Sequence, residues 1–389
     1  METKTSVGLS NDGRGYTCGQ DAARFALDRM GGGPVSLALL FTSHPNPGQV
    51  LKGVNNTLGD VPLVGVTSAG EYTEDGYVEQ GAGIMLIRSA DIHFHPIMQQ
   101  RRWFGRGNLL GKLRGLSSDG LGSAFNHRAL FIFPDDQSSN LDSIVDRAMT
   151  ETAMLYDILG GPSPLVHDPP PRPPAIFNAN RVLKSGLSGA EILSQNPFGL
   201  ALANGWKPVS DPYRVTRTSE RKVVTIDGRP AREVYEDFMM EQDLPIERLS
   251  ELVIRYPIGL CDTSVCKVSI VMGFDKQGAL LVTSPPPVDS LIHILSTQPD
   301  AMITAAERAL DQAMGSLHNQ DPSGVLFIDC MSTAMVLDSD YPRQQAAVRQ
   351  RLGADVPFLG YRSHGVLARL AGQTTGHYEC SVAACVLPG

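Results

Sequence analysis

Two stretches of this chain carry the same small set of groups at almost the same spacing. Leu58-Gly59-Asp60-Val61-Pro62-Leu63-Val64-Gly65-Val66-Thr67-Ser68-Ala69-Gly70 is echoed, with one inserted residue, by Leu352-Gly353-Ala354-Asp355-Val356-Pro357-Phe358-Leu359-Gly360-Tyr361-Arg362-Ser363-His364-Gly365. Each ends in a glycine-serine corner. Gly65 and Gly70 have no Cβ, which frees φ and lets a backbone approach a ligand closely. Thr67 and Ser68 add hydroxyls, and Glu71 adds a carboxylate able to fix an amine. Tyr361, Ser363 and His364 stand at the matched corner, and Cys330 ends the apolar run upstream of it. Together these residues point to recognition of a small polar ligand. Glycine corners at strand ends are also ordinary punctuation, so both readings stand at this stage.

The elements that must hold the corners repeat with them. Residues 36–41 and 324–329 are apolar runs of strand length. Helices are expected at 48–58 and 343–352, and the proline-led segments then read as second strands. Each unit is therefore strand, helix, strand, with the two strands laid parallel by a right-handed crossover. Open sheets of this kind present ligands at the carboxyl ends of their strands, where the corners fall. A third, weaker copy lies between the two. It opens with a strand at 129–133, followed by a helix capped by Ser139 or Asn140. The helix stripe is Leu141, Ile144, Val145, Ala148, Met149, Leu155 and Ile158, and it closes at Leu159-Gly160-Gly161. Pro164-Leu165-Val166 then matches Pro62-Leu63-Val64, with His167 in place of Gly65. Further strands are expected at 222–227, 251–256, 267–272, 279–283, 291–295 and 380–387. Pro230 opens one helix, and another follows Asp300.

Composition bounds the reading. Hydrophobic residues are 42% and charged residues 19% of 389 positions, which excludes wholesale disorder, collagen and coiled coil. No apolar run approaches the ~18 residues of a membrane span, and no signal-peptide stretch follows Met1; a cytoplasmic chain is expected. Asp and Glu outnumber Lys and Arg 41 to 33, a net charge of −8, which argues against nucleic acid as a partner. The one basic-aromatic cluster, around Arg101, Arg102, Trp103, Phe104, Arg106, Lys112 and Arg114, reads as a solvated loop. Residues 169–174 read as a rigid polyproline loop. The Cys-x4-Cys pairs Cys261/Cys266 and Cys380/Cys385 lack zinc spacing and are expected reduced and buried. No Walker loop, dinucleotide fingerprint, Gly-x-Ser-x-Gly or His-Glu-x-x-His is present.

Residues 62–72, from Pro62 to Glu71-Tyr72, resemble the Gly-x-x-[Ser/Thr]-x-Gly-Glu segment of the FIST sensory-domain family. Val224-Thr-Ile-Asp-Gly-Arg-Pro-Ala-Arg-Glu-Val-Tyr235 is similar to the start of that family's C-terminal module, and 324–330 and 357–361 resemble its later blocks. Departures are the missing arginine after Cys330, the altered segment 160–168 and His364-Gly365-Val366 in place of Gly-Glu-Ile. The resemblance implies a bacterial small-ligand sensor that works beside a histidine kinase or another output protein. Some stand-alone relatives of this length bind haem and sense nitric oxide. Haem here would be non-covalent, because no Cys-x-x-Cys-His motif exists. His364, His377 and His167 are then the candidate iron ligands, while His93, His95 and His293 read more plainly as strand histidines. The alternative from another class is an enzyme using Cys330 as a thiolate paired with His364 or His377; a buried core thiol is the plainer reading.

The expected architecture is mixed α/β: two related modules of mixed β-sheets flanked by helices, built from repeated β-α-β units. Residues 1–33 form a lead-in, 34–219 the N-terminal module and 220–389 the C-terminal module. The expected function is small-ligand sensing. Since no kinase, cyclase or DNA-reading segment is seen, the output is expected to come from a separate protein.

Overall fold

The structure is a computed structural model that describes residues 3–100, 109–111, 113–116, 125–136, 141–166, 172–261, 265–370 and 375–389. The basic-aromatic residues 101–108, Ser139, Asn140, His167 and the first part of the polyproline run lie outside the described residues. The fold is mixed α/β, with mixed sheets flanked by helices. It divides into two compact units, one of Met1–Ala203, Ala306–His377 and Ser381–Gly389, the other of Asn204–Ala305 and Tyr378–Cys380.

The first unit is assembled from three parallel β-α-β pairs. In the first pair, β1 (Leu37–Thr42) leads through α1 (Pro47–Leu58) to β2 (Leu63–Thr67), parallel to β1. Pro47 opens α1 where its missing N–H is no loss, and Gly59 closes it at φ 68°. Val50, Leu51 and Val54 of α1 meet Leu40 of β1 in a buried core. The expected lead-in is part of this structure. Strand Lys4–Ser10 pairs antiparallel with Ala82–Arg88, and helix Gly15–Met30 packs Cys18, Ala22, Ala23 and Ala26 onto the same core. A short hairpin follows, β3 (Glu71–Thr73) and β4 (Gly76–Val78).

The second pair is β5 (His127–Pro134), α2 (Leu141–Glu151) and β6 (Asp157–Gly160), with β6 parallel to β5. The helix is shorter than the apolar spacing predicts. The helix stops at Glu151, Ala153 and Met154 turn the chain at positive φ, and Leu155 is 58% exposed. The apolar spacing that continued through Ile158 belongs to a strand, so Gly160 ends β6 and caps no helix. The match of Pro164-Leu165-Val166 to a second strand fails for the same reason.

The third pair runs from β7 (Pro322–Cys330) through α3 (Met331–Leu337) and α4 (Tyr341–Leu352) to β8 (Phe358–Ser363), again parallel. The β3–β4 hairpin adds to the far side of β8, so residues of the first repeat extend the sheet of the last.

The second unit is built on a nine-stranded sheet, with Val215, Val223, Ile226, Tyr235, Phe238 and Ile292 in its core. Helix Ala231–Glu241 starts directly after Pro230. Glu220, the expected module boundary, sits in the turn between strands Tyr213–Ser219 and Lys222–Ile226. Residues 251–256 do not form the expected strand. Leu249 and Val253 are buried four apart while Ile254 is 51% exposed, a helical spacing, and short helical turns result. Cys261 and Cys266, expected reduced, are joined in a disulfide. The five-residue separation spans a hairpin rather than one strand, which makes the two cysteines direct cross-strand partners. Among the described residues no helix is long and apolar enough to cross a membrane.

Candidate functional site

The three β-α-β pairs share one corner. Gly65 lies level with Leu40 in the neighbouring strand, Gly160 with Ile132, and Gly360 with Phe327. Three residues beyond each glycine stands a serine: Ser68, Ser163 and Ser363. A Cβ at Gly65 would lie 1.8 Å from the Leu40 carbonyl oxygen, and one at Gly160 would lie 1.8 Å from that of Ile132. Close passage of backbone therefore demands glycine at both. At Gly360 the space is taken by the Tyr72 ring, 2.1 Å from a would-be Cβ.

The corners themselves meet. Thr67 Oγ1 is 2.5 Å from Ser163 Oγ, tying the first corner to the second. Ala69 N–H donates to Arg362 O at 2.8 Å and Arg362 N–H donates to Gly70 O at 2.9 Å, tying the first to the third. His364 N–H donates to Pro162 O at 3.2 Å, tying the third to the second. Beneath them Phe41 and Tyr361 stack with centroids 3.7 Å apart. The structure thus brings Gly65, Thr67, Ser68, Gly70 and Glu71 beside Tyr361, Ser363 and His364, with Cys330 level with Ser363 in the next strand.

Two buried carboxylates flank one guanidinium at this junction. Side chains alternate across a sheet, and the register of β3, β8 and β7 puts Glu71, Tyr361, Ser363 and Cys330 on one face and Tyr72, Arg362 and Asp329 on the other. Glu71 is fully buried. Ser43 Oγ donates to its Oε2 at 2.8 Å, and Ser68 Oγ donates to its Oε1. Burial pushes the Glu71 carboxyl up to about 7, against the opposing pull of those two hydroxyls and the charges of Arg362 and Arg172. Asp329 is likewise pushed up to about 7 by burial, opposed by Tyr341 and Arg362. Tyr341 Oη and Gln344 Nε2, both on α4, donate to Asp329 Oδ2 at 2.9 and 2.7 Å. Arg362 donates from Nη2 to Ala69 O at 2.5 Å and lies over the rings of Tyr77 and Tyr341, 4.9 and 5.7 Å from their centroids. Tyr72 Oη, Asp329 Oδ1, Arg362 Nε and Gln344 Oε1 are buried without a hydrogen-bond partner among the described residues. A group left so costs about 1–3 kcal/mol, and few native proteins tolerate several in one place.

A pocket opens at the carboxyl ends of β1 and β2. Its volume is about 120 Å³, and Thr42, His44, Thr67 and Ser68 are among its lining residues. Arg172, Lys184, Val182, Pro164, Pro173 and Pro174 also line it, and Arg172 Nη1 donates to Ser43 O and Glu79 O. Thr67 and Ser68 therefore reach the pocket wall, whereas Glu71 lies behind Ser68, whose hydroxyl is turned toward it. Ala175 N–H donates to Thr67 Oγ1 at 2.9 Å, which fastens that part of the wall to β2.

His364 and His377 are not among the residues that line this pocket. His364 Nδ1 is 2.5 Å from Asp136 Oδ1, and His377 Nε2 is 2.8 Å from His364 O. An iron-binding imidazole needs a nitrogen directed into an apolar slot. One nitrogen of each ring is thus engaged, with a carboxylate and with a carbonyl, a contact that a metal-bound imidazole's second nitrogen also makes, and His167 lies outside the described residues. The pocket at the ends of β1 and β2, about 120 Å³, is too small to hold a haem. Cys330 is completely buried, in the manner of a small core residue. His293 is half-buried with Nδ1 3.0 Å from Ser210 O, in keeping with a strand histidine.

Asp329, Arg362, Tyr72, Tyr341 and Gln344 were not singled out in the sequence. Arg362 stands inside the repeated corner, between Tyr361 and Ser363, and the alternation of a strand at that point would have placed it opposite both. Asp329 precedes Cys330 by one residue and is its counterpart on the other face.

The FIST N domain matches residues 36–229, and the FIST C domain matches residues 231–368. No curated protein matches the chain. With tandem matches over most of its length, and with the glycine-serine corners of both domains meeting in one compact unit, the chain belongs to the FIST family, whose domains are associated with small-ligand sensing in signal transduction.

Proposed function

We propose that this protein is a small-ligand sensor that receives its ligand in the pocket at the ends of β1 and β2, and that a separate signalling protein, such as a histidine kinase, carries the output. The observation that carries this reading is the position of Ser68. It stands in the pocket wall and hydrogen-bonds to buried Glu71, whose neighbours in the corner pair with Arg362. A ligand that turns the Ser68 hydroxyl alters a buried network reaching Asp329 and α4. Ligands shift such arrangements only by binding one better than another. Burial of the network favours discrete alternatives, because unpaired polar groups there are costly.

The experiment is a thermal-shift screen of small metabolites against the wild-type chain and Val182→Trp, which crowds the pocket from a position already 38% exposed. A true ligand at 100 times its Kd stabilises by about 2.7 kcal/mol, and that gain disappears in the variant. Silence across a broad panel, or a gain untouched by Val182→Trp, overturns the assignment of this pocket.

A further inference from the structure

The pocket wall itself restricts which ligand it can take. Among its described lining residues the charged groups are Arg172 and Lys184, and neither Asp nor Glu is present. That is a local reversal in a chain of net charge −8. The nearest carboxylate in the network, Glu71, is fully buried behind Ser68 with both oxygens accepting hydroxyl protons, so it offers nothing to an incoming ammonium. Among the described lining residues a cation would meet like charge and no carboxylate, a costly placement.

The remaining wall is apolar and stiff. Pro164, Pro173, Pro174 and Val182 contribute rings and branched carbon, with φ locked at each proline, so little freedom is lost on binding. The volume, about 120 Å³, compares with the ~150 Å³ of an engineered cavity that accepts benzene. It suits a ligand of a few carbons with one compact charged head. The hydroxyls of Thr42, Thr67 and Ser68 are already committed to Gly81 O, Ser163 and Glu71, and Arg172 Nη1 donates to Ser43 O and Glu79 O, which leaves few donors for the four oxygens of a phosphate or sulfate. We infer that this pocket binds a small aliphatic monocarboxylate, its head toward Lys184 and Arg172 and its tail against the prolines.

The inference rests on the pocket being the sensing site, and the test separates the two. Butyrate, butylamine and butanol are titrated at fixed ionic strength by calorimetry into the full chain, Lys184→Gln and Val182→Trp. The expected result is that butyrate binds, weakened roughly tenfold by Lys184→Gln, the loss of one charge-assisted hydrogen bond, and abolished by Val182→Trp. Binding should also weaken as salt rises. Butylamine or butanol binding in place of butyrate, with loss in Val182→Trp, overturns the ligand class while the pocket stands. Butyrate binding that neither variant affects overturns the inference by placing the site elsewhere. No binding of any of the three overturns the monocarboxylate, and the broader metabolite screen then decides the pocket alone.

Discussion

Glu71 and Asp329 show how a residue's surroundings become a property of the whole chain. Both are fully buried, and burial raises both carboxyls to about 7 from ordinary values of 4.5 and 3.8. Within that window the folded chain keeps protons that the unfolded chain has already released. Stability from these groups is therefore highest at the acid side, falls as pH rises toward 7, and levels off above it. Glu71→Gln removes one titrating group and keeps the shape. Relative to the wild type it should gain stability between pH 5 and pH 8 by an amount on the order of a few kcal/mol. Urea unfolding at several pH values reads this directly, and a difference that stays flat with pH would mean that Glu71 does not hold a proton. The charges of Arg362 and Arg172 act on Glu71 as well and pull its carboxyl down. Tyr77 and Cys18 sense its charge from the opposite side of the account, each raised chiefly by its own burial.

At the scale of elements the recurring device is a glycine placed where one strand's backbone passes over its neighbour. Gly160→Ala would force a methyl within 1.8 Å of the Ile132 carbonyl oxygen, a backbone atom that cannot swing aside. The expected loss is at least about 3 kcal/mol, the upper range for overpacking. Gly315→Ala, at the end of helix Pro299–Gly315 with nothing within 4 Å, should be neutral or slightly stabilising. Denaturant midpoints of the two variants test this, and equal midpoints would contradict the close approach. The same device explains what could be read beforehand. The first and last β-α-β pairs were legible because glycine, serine and the leading proline recur in register. The middle pair was misread because apolar residues at spacings of three and four run on past Glu151, and periodicity alone does not say where a helix stops and a buried strand begins. Its true register, Gly160-Gly161-Pro162-Ser163, repeats Gly65-Val66-Thr67-Ser68 without a gap. The corner hydroxyls were visible in the sequence. Asp329 and Arg362 were not, since their importance comes from facing α4, a relation set by the sheet register and absent from local spacing.

The whole molecule shows that the repeats of a sequence and the units of a fold need not share boundaries. The FIST N match ends at residue 229, yet the compact unit that contains its β-α-β pairs also takes in Ala306–His377 and Ser381–Gly389. The reason is physical. The hairpin β3–β4 completes its hydrogen bonding on β8, strand Gly199–Ala203 completes its own on Val382–Pro388, and Phe41 stacks on Tyr361. Residues 1–203 alone would keep Glu71 without Arg362 and would leave two strand edges and an apolar face bare. Unpaired edges of that kind favour aggregation over a unique fold. The fragment 1–203 should therefore show no cooperative thermal transition and little soluble monomer. Adding residues 306–389 as a second chain should restore a transition, since that segment carries β7, β8 and Val382–Pro388. A fragment 1–203 that melts cooperatively on its own would break the claim that the junction of the three corners, rather than either half of the sequence, is what makes this unit fold.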